Sequence, residues 1–134
     1  MTALSSYSER KVLDHVFKNT SFTSPQAHMA LFTSDPTDSA SGTECSGNNY
    51  ARVRIDNKMA SATTGSDNSS ITSNSDITFP TASGGAFGTV THIGIFDAAS
   101  SGNLLAHGAL SASRVISDGD TFQINSGSLT ITID

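Results

Sequence analysis

Residues 91–110, with the sequence THIGIFDAASSGNLLAHGAL, contain two hydrophobic runs on either side of a short polar segment. The first run is THIGIFD (Thr91–Asp97) and the second is NLLAHGAL (Asn103–Leu110), while the segment AASSG between them ends in a Ser-Gly pair. Two hydrophobic runs joined by a Ser-Gly turn are typical of a β-hairpin. The stretch therefore predicts a pair of antiparallel strands.

Further short runs of strand character recur along the chain at a spacing of roughly ten residues, separated by turns rich in Gly, Ser and Asn. The candidate strands are Ala27–Thr33, Tyr50–Ile55, Asp76–Pro80, Asp120–Ile124 and Leu129–Asp134. The polar stretch Met59–Ser75 is interpreted as an exposed strand, a long loop, or both. This spacing predicts a mainly β protein, a single-domain antiparallel β-sandwich or barrel with one N-terminal amphipathic α-helix.

The helix is predicted from a capping signal followed by an apolar stripe. Ser6 and Glu9 have the spacing of a capping box. Apolar residues then recur at helical spacing, namely Val12, Leu13, Val16 and Phe17. The predicted organisation is one domain over 1–134, with a helix at 5–19 and a β domain at 26–134 that contains a long loop at 34–49. The helix is expected to cover an open end of the sandwich or to pack against a neighbouring subunit.

Composition excludes several classes of protein. Charged residues make up only 14% of the chain and the formal net charge is -5, so a basic footprint for nucleic acid is not expected. No apolar run approaches the roughly 20 residues that cross a bilayer, and the N-terminus lacks the basic-then-apolar order of a signal peptide. These features predict folding in a cytoplasm and no membrane partner. Low charge with many hydroxyl groups suits a surface that lies against other proteins.

The stretch SDPTDSASGTECSGNNYAR (residues 34–52) holds three acids that could in principle bind a cation. Asp35, Asp38 and Glu44 are hard oxygen ligands, but their spacing does not fit a calcium loop. They are interpreted as turn residues, and no metal or cofactor is expected. Cys45 lies next to Glu44, which predicts a raised thiol pKa and a role as a small buried hydrophobic residue, with an interchain disulfide as the alternative.

Catalytic patterns are missing from the sequence, so no enzymatic activity is expected. The four histidines have no serine in a nucleophile-elbow context, and His92 and His107 are expected to be partly buried or at an interface. A carbohydrate-binding module is a remote alternative, because sugar stacking needs exposed aromatic rings and the chain has no Trp and two Tyr.

Arg52 and Arg54 are expected on the outer face of a strand, where two interpretations stand side by side. In the first, the two arginines protect an edge strand from aggregation. In the second, they pair with acids of another subunit. Together with the helix stripe and the 34–49 loop they complete a candidate interface of Val12, Val16, Phe17, Asp35, Asp38, Glu44, Tyr50, Arg52 and Arg54.

Four segments following the helix carry a family resemblance: ALFTSDPTD, GTECSGNNYAR, FPTASGGAFGTVTHIGIFDAASSGNLLAHGAL and GDTFQINSGSLTITID. Their order is similar to that of a family of small tailed-phage and prophage virion structural proteins, often labelled tail fibre protein. The chain departs from that pattern at Cys45 and at Asn48-Asn49.

The resemblance implies a virion component and no catalytic residues. The role expected first is that of a capsid decoration or cement protein that binds the major capsid protein, as a homo-oligomer with a trimer favoured. The alternative is a component of the tail fibre, tail tip or baseplate that binds other tail proteins.

Overall fold

The hairpin predicted at residues 91–110 is the longest strand pair of the fold, formed by β7 (Gly88–Phe96) and β8 (Leu104–Ile116). In the turn between them, Ser101 and Gly102 adopt positive φ angles of 53° and 78°. The Asp97 carboxylate accepts hydrogen bonds from the backbone and side-chain N–H groups of Asn103, at 2.7 and 2.8 Å. The Ser-Gly turn signal therefore identified the hairpin correctly.

The structure, a computed structural model, describes residues 2–133. The remaining elements are β1 (Thr2–Leu4), α1 (Ser6–Phe17), β2 (His28–Phe32), β3 (Val53–Arg54), a 3-10 turn (Asp56–Lys58), β4 (Thr63–Thr64), β5 (Ser69–Thr72), β6 (Ile77–Thr78), β9 (Gln123–Ile124) and β10 (Thr130–Ile133). The prediction of a mainly β fold with one helix is confirmed. No helix within residues 2–133 is long and apolar enough to span a membrane.

Eight strands form one sheet in the order β3-β2-β7-β8-β1-β10-β5-β4, and β6 and β9 form a second, two-stranded sheet. The pairs are antiparallel except for β1 and β10, which run parallel with Thr2 opposite Ile131. Because β3 and β4 stand at opposite ends of the order, the large sheet is open, so the barrel alternative is wrong.

The main core lies between the two sheets. The large sheet contributes Met29, Leu31, Ile93 and Ile95, while Ile77, Phe79 and Phe122 come from the β6–β9 side. The Phe79 and Phe122 rings meet edge to face with centroids 5.7 Å apart, and the Phe79 N–H donates to the Phe122 carbonyl. This two-layer packing is the sandwich arrangement that period-two patterning predicts.

A smaller cluster occupies the opposite face of the large sheet, around the stacked rings of Phe32 and Phe96, whose centroids are 6.1 Å apart. A Cβ on Gly94 would lie only 2.9 Å from Cε2 of Phe32 and 3.1 Å from Leu104 Cδ1. Glycine is required there because the two aromatic rings and Leu104 leave no room for a side chain.

Strand β1 was not predicted, and it changes how the helix begins. The Ser5 N–H donates to the Leu105 carbonyl at 2.9 Å, and the Ser5 hydroxyl donates to the Leu104 carbonyl. The same hydroxyl accepts from the Ser8 N–H at 3.2 Å, so Ser5 is the N-cap and the prediction of Ser6 is wrong by one residue. Pairing of β1 holds Ser5 in an extended conformation, which is the backbone geometry of a cap.

Element bounds also differ from those predicted. The helix ends at Phe17, where the Lys18 and Thr20 N–H groups both donate to the Asp14 carbonyl and Asn19 has a positive φ. The candidate strand at 50–55 is reduced to β3, because the Tyr50 N–H closes a turn with Gly47 instead of joining a ladder. Residues 59–75 contain both strand and loop, as one of the interpretations held.

Candidate functional site

The helix α1 contacts the rest of the protein through its polar side. Ser8 is buried, Lys11 and Asp14 are partly buried, and the Tyr7 ring packs edge to face on Phe22 with centroids 6.5 Å apart. The Lys11 ammonium lies 5.6 Å from the centre of the Tyr7 ring. These contacts hold the helix against the sheet without using its apolar stripe.

The apolar stripe instead faces solvent. The exposed fractions are 38% for Val12, 56% for Leu13, 61% for Val16 and 81% for Phe17. A helix on a globular protein ordinarily buries such a stripe in the core, so the orientation here is the reverse of the usual one. We refer to these four residues as the α1 apolar face; it brings together the three helix residues predicted for the interface and adds Leu13.

The side chain of Arg52 is only 7% exposed and is held within the chain. Its Nε and Nη2 donate to the two carboxylate oxygens of Glu44 at 2.8 and 2.7 Å, and Nη1 donates to the carbonyls of Ala98 and Ser101 at 3.0 and 2.7 Å. The guanidinium carbon lies 3.8 Å from the centre of the Phe96 ring. Arg52 therefore ties the 34–49 loop to the β7–β8 turn.

Tyr50 belongs to the same network. Its hydroxyl donates to Glu44 Oε1 at 2.9 Å and accepts from the Leu31 N–H at 3.0 Å. Burial raises the pKa of the Tyr50 hydroxyl well above its ordinary value, and the neighbouring Glu44 charge adds to the increase. The acid that pairs with Arg52 thus lies in the same chain, so the interpretation that Arg52 reaches an acid of another subunit is wrong.

Arg54 also pairs within the chain. Its Nε and Nη2 donate to the two carboxylate oxygens of Asp56, each at 2.8 Å, on the exposed edge strand β3. The hydrogen bonds from Arg54 lower the pKa of Asp56. This pair is solvent-exposed, and its position on an edge strand agrees with the first of the two interpretations of these arginines.

Asp35 and Asp38 of the 34–49 loop both lie near His107, and Asp35 Oδ1 is 3.8 Å from its Nδ1. Asp35 Oδ1 accepts from the Thr37 N–H at 2.8 Å, which is turn geometry, while Asp38 Oδ1 lies 2.8 Å from Nε2 of His107. His107 is 15% exposed and lies on β8, so its contact with Asp38 attaches the loop to the sheet. The one signal of this contact in the sequence is the histidine within the otherwise apolar run Leu104–Leu110.

Cys45 has the surroundings predicted for it. It is 5% exposed and belongs to the main core. Burial, with a smaller contribution from the Glu44 charge, raises the pKa of the thiol to about 11. The interpretation of Cys45 as a small buried hydrophobic residue is confirmed.

A protein-family model described as podophage GP4 fiber I protein gp80 matches residues 3–132. The match covers nearly the whole chain, and the protein belongs to this family. It is therefore a bacteriophage structural protein that resides in the virion, in agreement with the sequence resemblance. No curated protein matches the chain.

Proposed function

We propose that this protein is a subunit of a bacteriophage fibre and that the α1 apolar face joins it to neighbouring virion proteins. The family description, which names a fiber protein of a podophage, favours a fibre over the capsid decoration expected first from the sequence. The observation that carries the assembly role is the orientation of α1, because its stripe of Val12, Leu13, Val16 and Phe17 is exposed to solvent.

Burial of this face in an assembly would supply binding free energy. Removing a Val, Leu or Phe side chain fully from water contributes about 1.5–3 kcal/mol. Each side chain of the α1 apolar face is already partly buried in the isolated subunit, so only its exposed part remains to be buried in an assembly. A contribution on the order of 1 kcal/mol per side chain is therefore available. Repetition of the contact between many subunits converts such modest terms into high avidity.

In this role the protein acts through contact area and performs no catalytic step. Its partners would be other fibre or tail proteins and further copies of the chain, with a trimer as the expected homo-oligomer. The core of the domain does not involve the α1 apolar face, so the subunit folds independently of these contacts.

Substitution of the face tests its role in assembly. We expect Leu13→Glu and Phe17→Glu to lower the number of copies per phage particle by about tenfold, the change that corresponds to a loss of about 1.4 kcal/mol. Lys18→Glu is the matched control, since it places a carboxylate next to Phe17 at the exposed C-cap residue, outside the α1 apolar face. Copy number is measured by quantitative mass spectrometry of purified particles. Normal copy number in both face variants would refute the assembly role of α1.

The position in the particle is tested separately by imaging. We expect density for this chain, or a gold label attached to it, on fibres at the tail. Density distributed over the capsid shell would replace the fibre role with capsid decoration.

A further inference from the structure

Outside α1, Val115 is the most exposed large hydrophobic side chain of the described residues, with 68% of its surface in solvent. It lies near the end of β8, where it pairs with Thr89 of β7. A single exposed hydrophobic residue needs no explanation by itself. Val115, however, also lines a cleft, so both the residue and the space beside it are open to a partner.

The cleft beside Val115 has a volume of about 290 Å³. Ile116 and Phe122 line it and are each more than nine-tenths buried, while Arg114 and Asp120 line it and are exposed. An apolar base with charged groups around it is the usual composition of a protein interface. We refer to these five residues as the Val115 cleft.

We propose that the α1 apolar face of one copy of this protein docks on the Val115 cleft of a second copy, with the Phe17 ring inserted beside Val115. The inference rests on the proposed function, since it names the partner of the same helix face. Phe17 is 81% exposed, the largest exposed fraction of any large hydrophobic residue described. A cavity of about 150 Å³ holds a benzene ring, so the cleft has room for the Phe17 side chain.

The charges beside the two surfaces are complementary. Glu9 and Arg10 are exposed and lie within one helical turn of Leu13, so they border the α1 apolar face. Arg114 and Asp120 border the cleft. None of these four charged residues forms an ion pair within residues 2–133. A second copy thus offers a guanidinium to Glu9 and a carboxylate to Arg10, and arginine–carboxylate pairs suit an interface.

The two surfaces lie at different ends of β8, so the contact has to join two copies. The first turn of α1 is held beside Leu105, whose carbonyl accepts from the Ser5 N–H at 2.9 Å. The helix has 12 residues and is therefore about 18 Å long. Val115 follows Leu105 by ten positions on β8, which is roughly 30 Å of extended strand. Each copy presents both surfaces, and each surface remains open until another copy binds.

Self-association of the isolated protein provides the first test. We expect sedimentation velocity to show wild-type oligomers whose size rises with concentration. Phe17→Glu and Val115→Glu should each weaken association by at least about tenfold, because each places a carboxylate in an apolar contact. Ser66→Glu is the matched control and should associate like the wild type. It adds the same charge at an exposed residue of the β4–β5 turn, several strands away from β8.

A mixture of the two variants tests whether these two surfaces bind each other. Phe17→Glu retains an intact Val115 cleft, and Val115→Glu retains an intact α1 apolar face. We expect the two proteins to form a one-to-one complex when mixed, although each is monomeric alone. Isothermal titration calorimetry should give an affinity near that of wild-type self-association. Contact between two α1 helices would leave Val115→Glu fully associated and the mixture without a complex, which would overturn the proposal.

Two further controls complete the experiment. Circular dichroism checks that Val115→Glu is folded, and Val115→Ser, which adds no charge, should weaken association in the same direction by a smaller factor. A wild-type protein that remains monomeric up to about 1 mM would also overturn the contact between copies. These measurements leave the proposed function to be decided by copy number in particles, so failure of this contact and failure of the assembly role of α1 are distinguishable.

Discussion

Arg52 connects three segments that are distant in the sequence. Its guanidinium binds Glu44 through two parallel hydrogen bonds, reaches two carbonyls of the β7–β8 turn, and stacks on Phe96. Bidentate geometry and low exposure make this pair stronger than an ordinary surface ion pair. At the residue scale, Arg52 fixes the position of the 34–49 loop.

We expect Arg52→Ala to lower the free energy of unfolding by about 2–4 kcal/mol, because Glu44 and two carbonyls lose their charged donor. Arg52→Lys should restore only part of the loss, since a lysine cannot form the planar double contact. Urea denaturation followed by circular dichroism measures both. Arg54→Ala is the control and should leave stability almost unchanged, because its pair with Asp56 is exposed. Equal effects at the two arginines would contradict this account.

The sequence predicted the chemical type of these residues better than their partners. Alternation in YARVRI placed Arg52 on an outer strand face, but the ladder in this segment is confined to Val53–Arg54. Arg52 is therefore free to turn inward, toward carbonyls that lie 46 and 49 residues away. Contacts at that separation leave no local pattern. The raised thiol pKa of Cys45 was predictable in direction, because its neighbour Glu44 and the lack of nearby cations are local features of the sequence.

At the scale of elements, α1 is anchored at its first turn and free along its apolar side. Ser5 is fully buried and joins the helix to β8 through its N–H and its hydroxyl, while also capping the helix through Ser8. The helix was predictable from its capping signal and its 3.6-residue period. The direction of its stripe was not, because periodicity indicates which residues share a face and not what that face contacts.

Ser5 and Ser6 offer a direct test of this anchor. We expect Ser5→Ala to lower the free energy of unfolding by about 2–3 kcal/mol, since it removes the cap and a buried hydrogen bond to the Leu104 carbonyl. Ser6→Ala, one residue later, should change stability by less than about 0.5 kcal/mol. Denaturant titration of the two variants measures the difference. A larger loss at Ser6 would return the cap to the position that the sequence indicated.

At the scale of the whole molecule, β1 joins two parts of the large sheet. On one side stands the β3-β2-β7-β8 group, and on the other the β10-β5-β4 group. The mainly β class followed from period-two runs and turn residues. The strand order did not, because Thr2–Leu4 is too short to show a period and becomes a strand only through its pairing with β8 and β10.

We expect deletion of residues 2–4 to abolish cooperative unfolding or to yield insoluble protein, since it separates the two halves of the sheet and exposes new strand edges. Leu13→Glu is the matched control in the same region and should leave the unfolding transition near that of the wild type, because Leu13 is exposed. Thermal unfolding and size-exclusion chromatography distinguish the two. A soluble, cooperatively folded deletion variant would show that β1 is dispensable.

The location of β1 has a consequence for synthesis on the ribosome. Thr2–Leu4 is translated well before its pairing partners Ala106–Gly108 and Ile131. The large sheet cannot be completed until β10 (Thr130–Ile133) has left the exit tunnel. A message truncated before Ile131 would thus yield chains without a complete sheet, and host proteases would meet them as unfolded polypeptide before they could enter a particle.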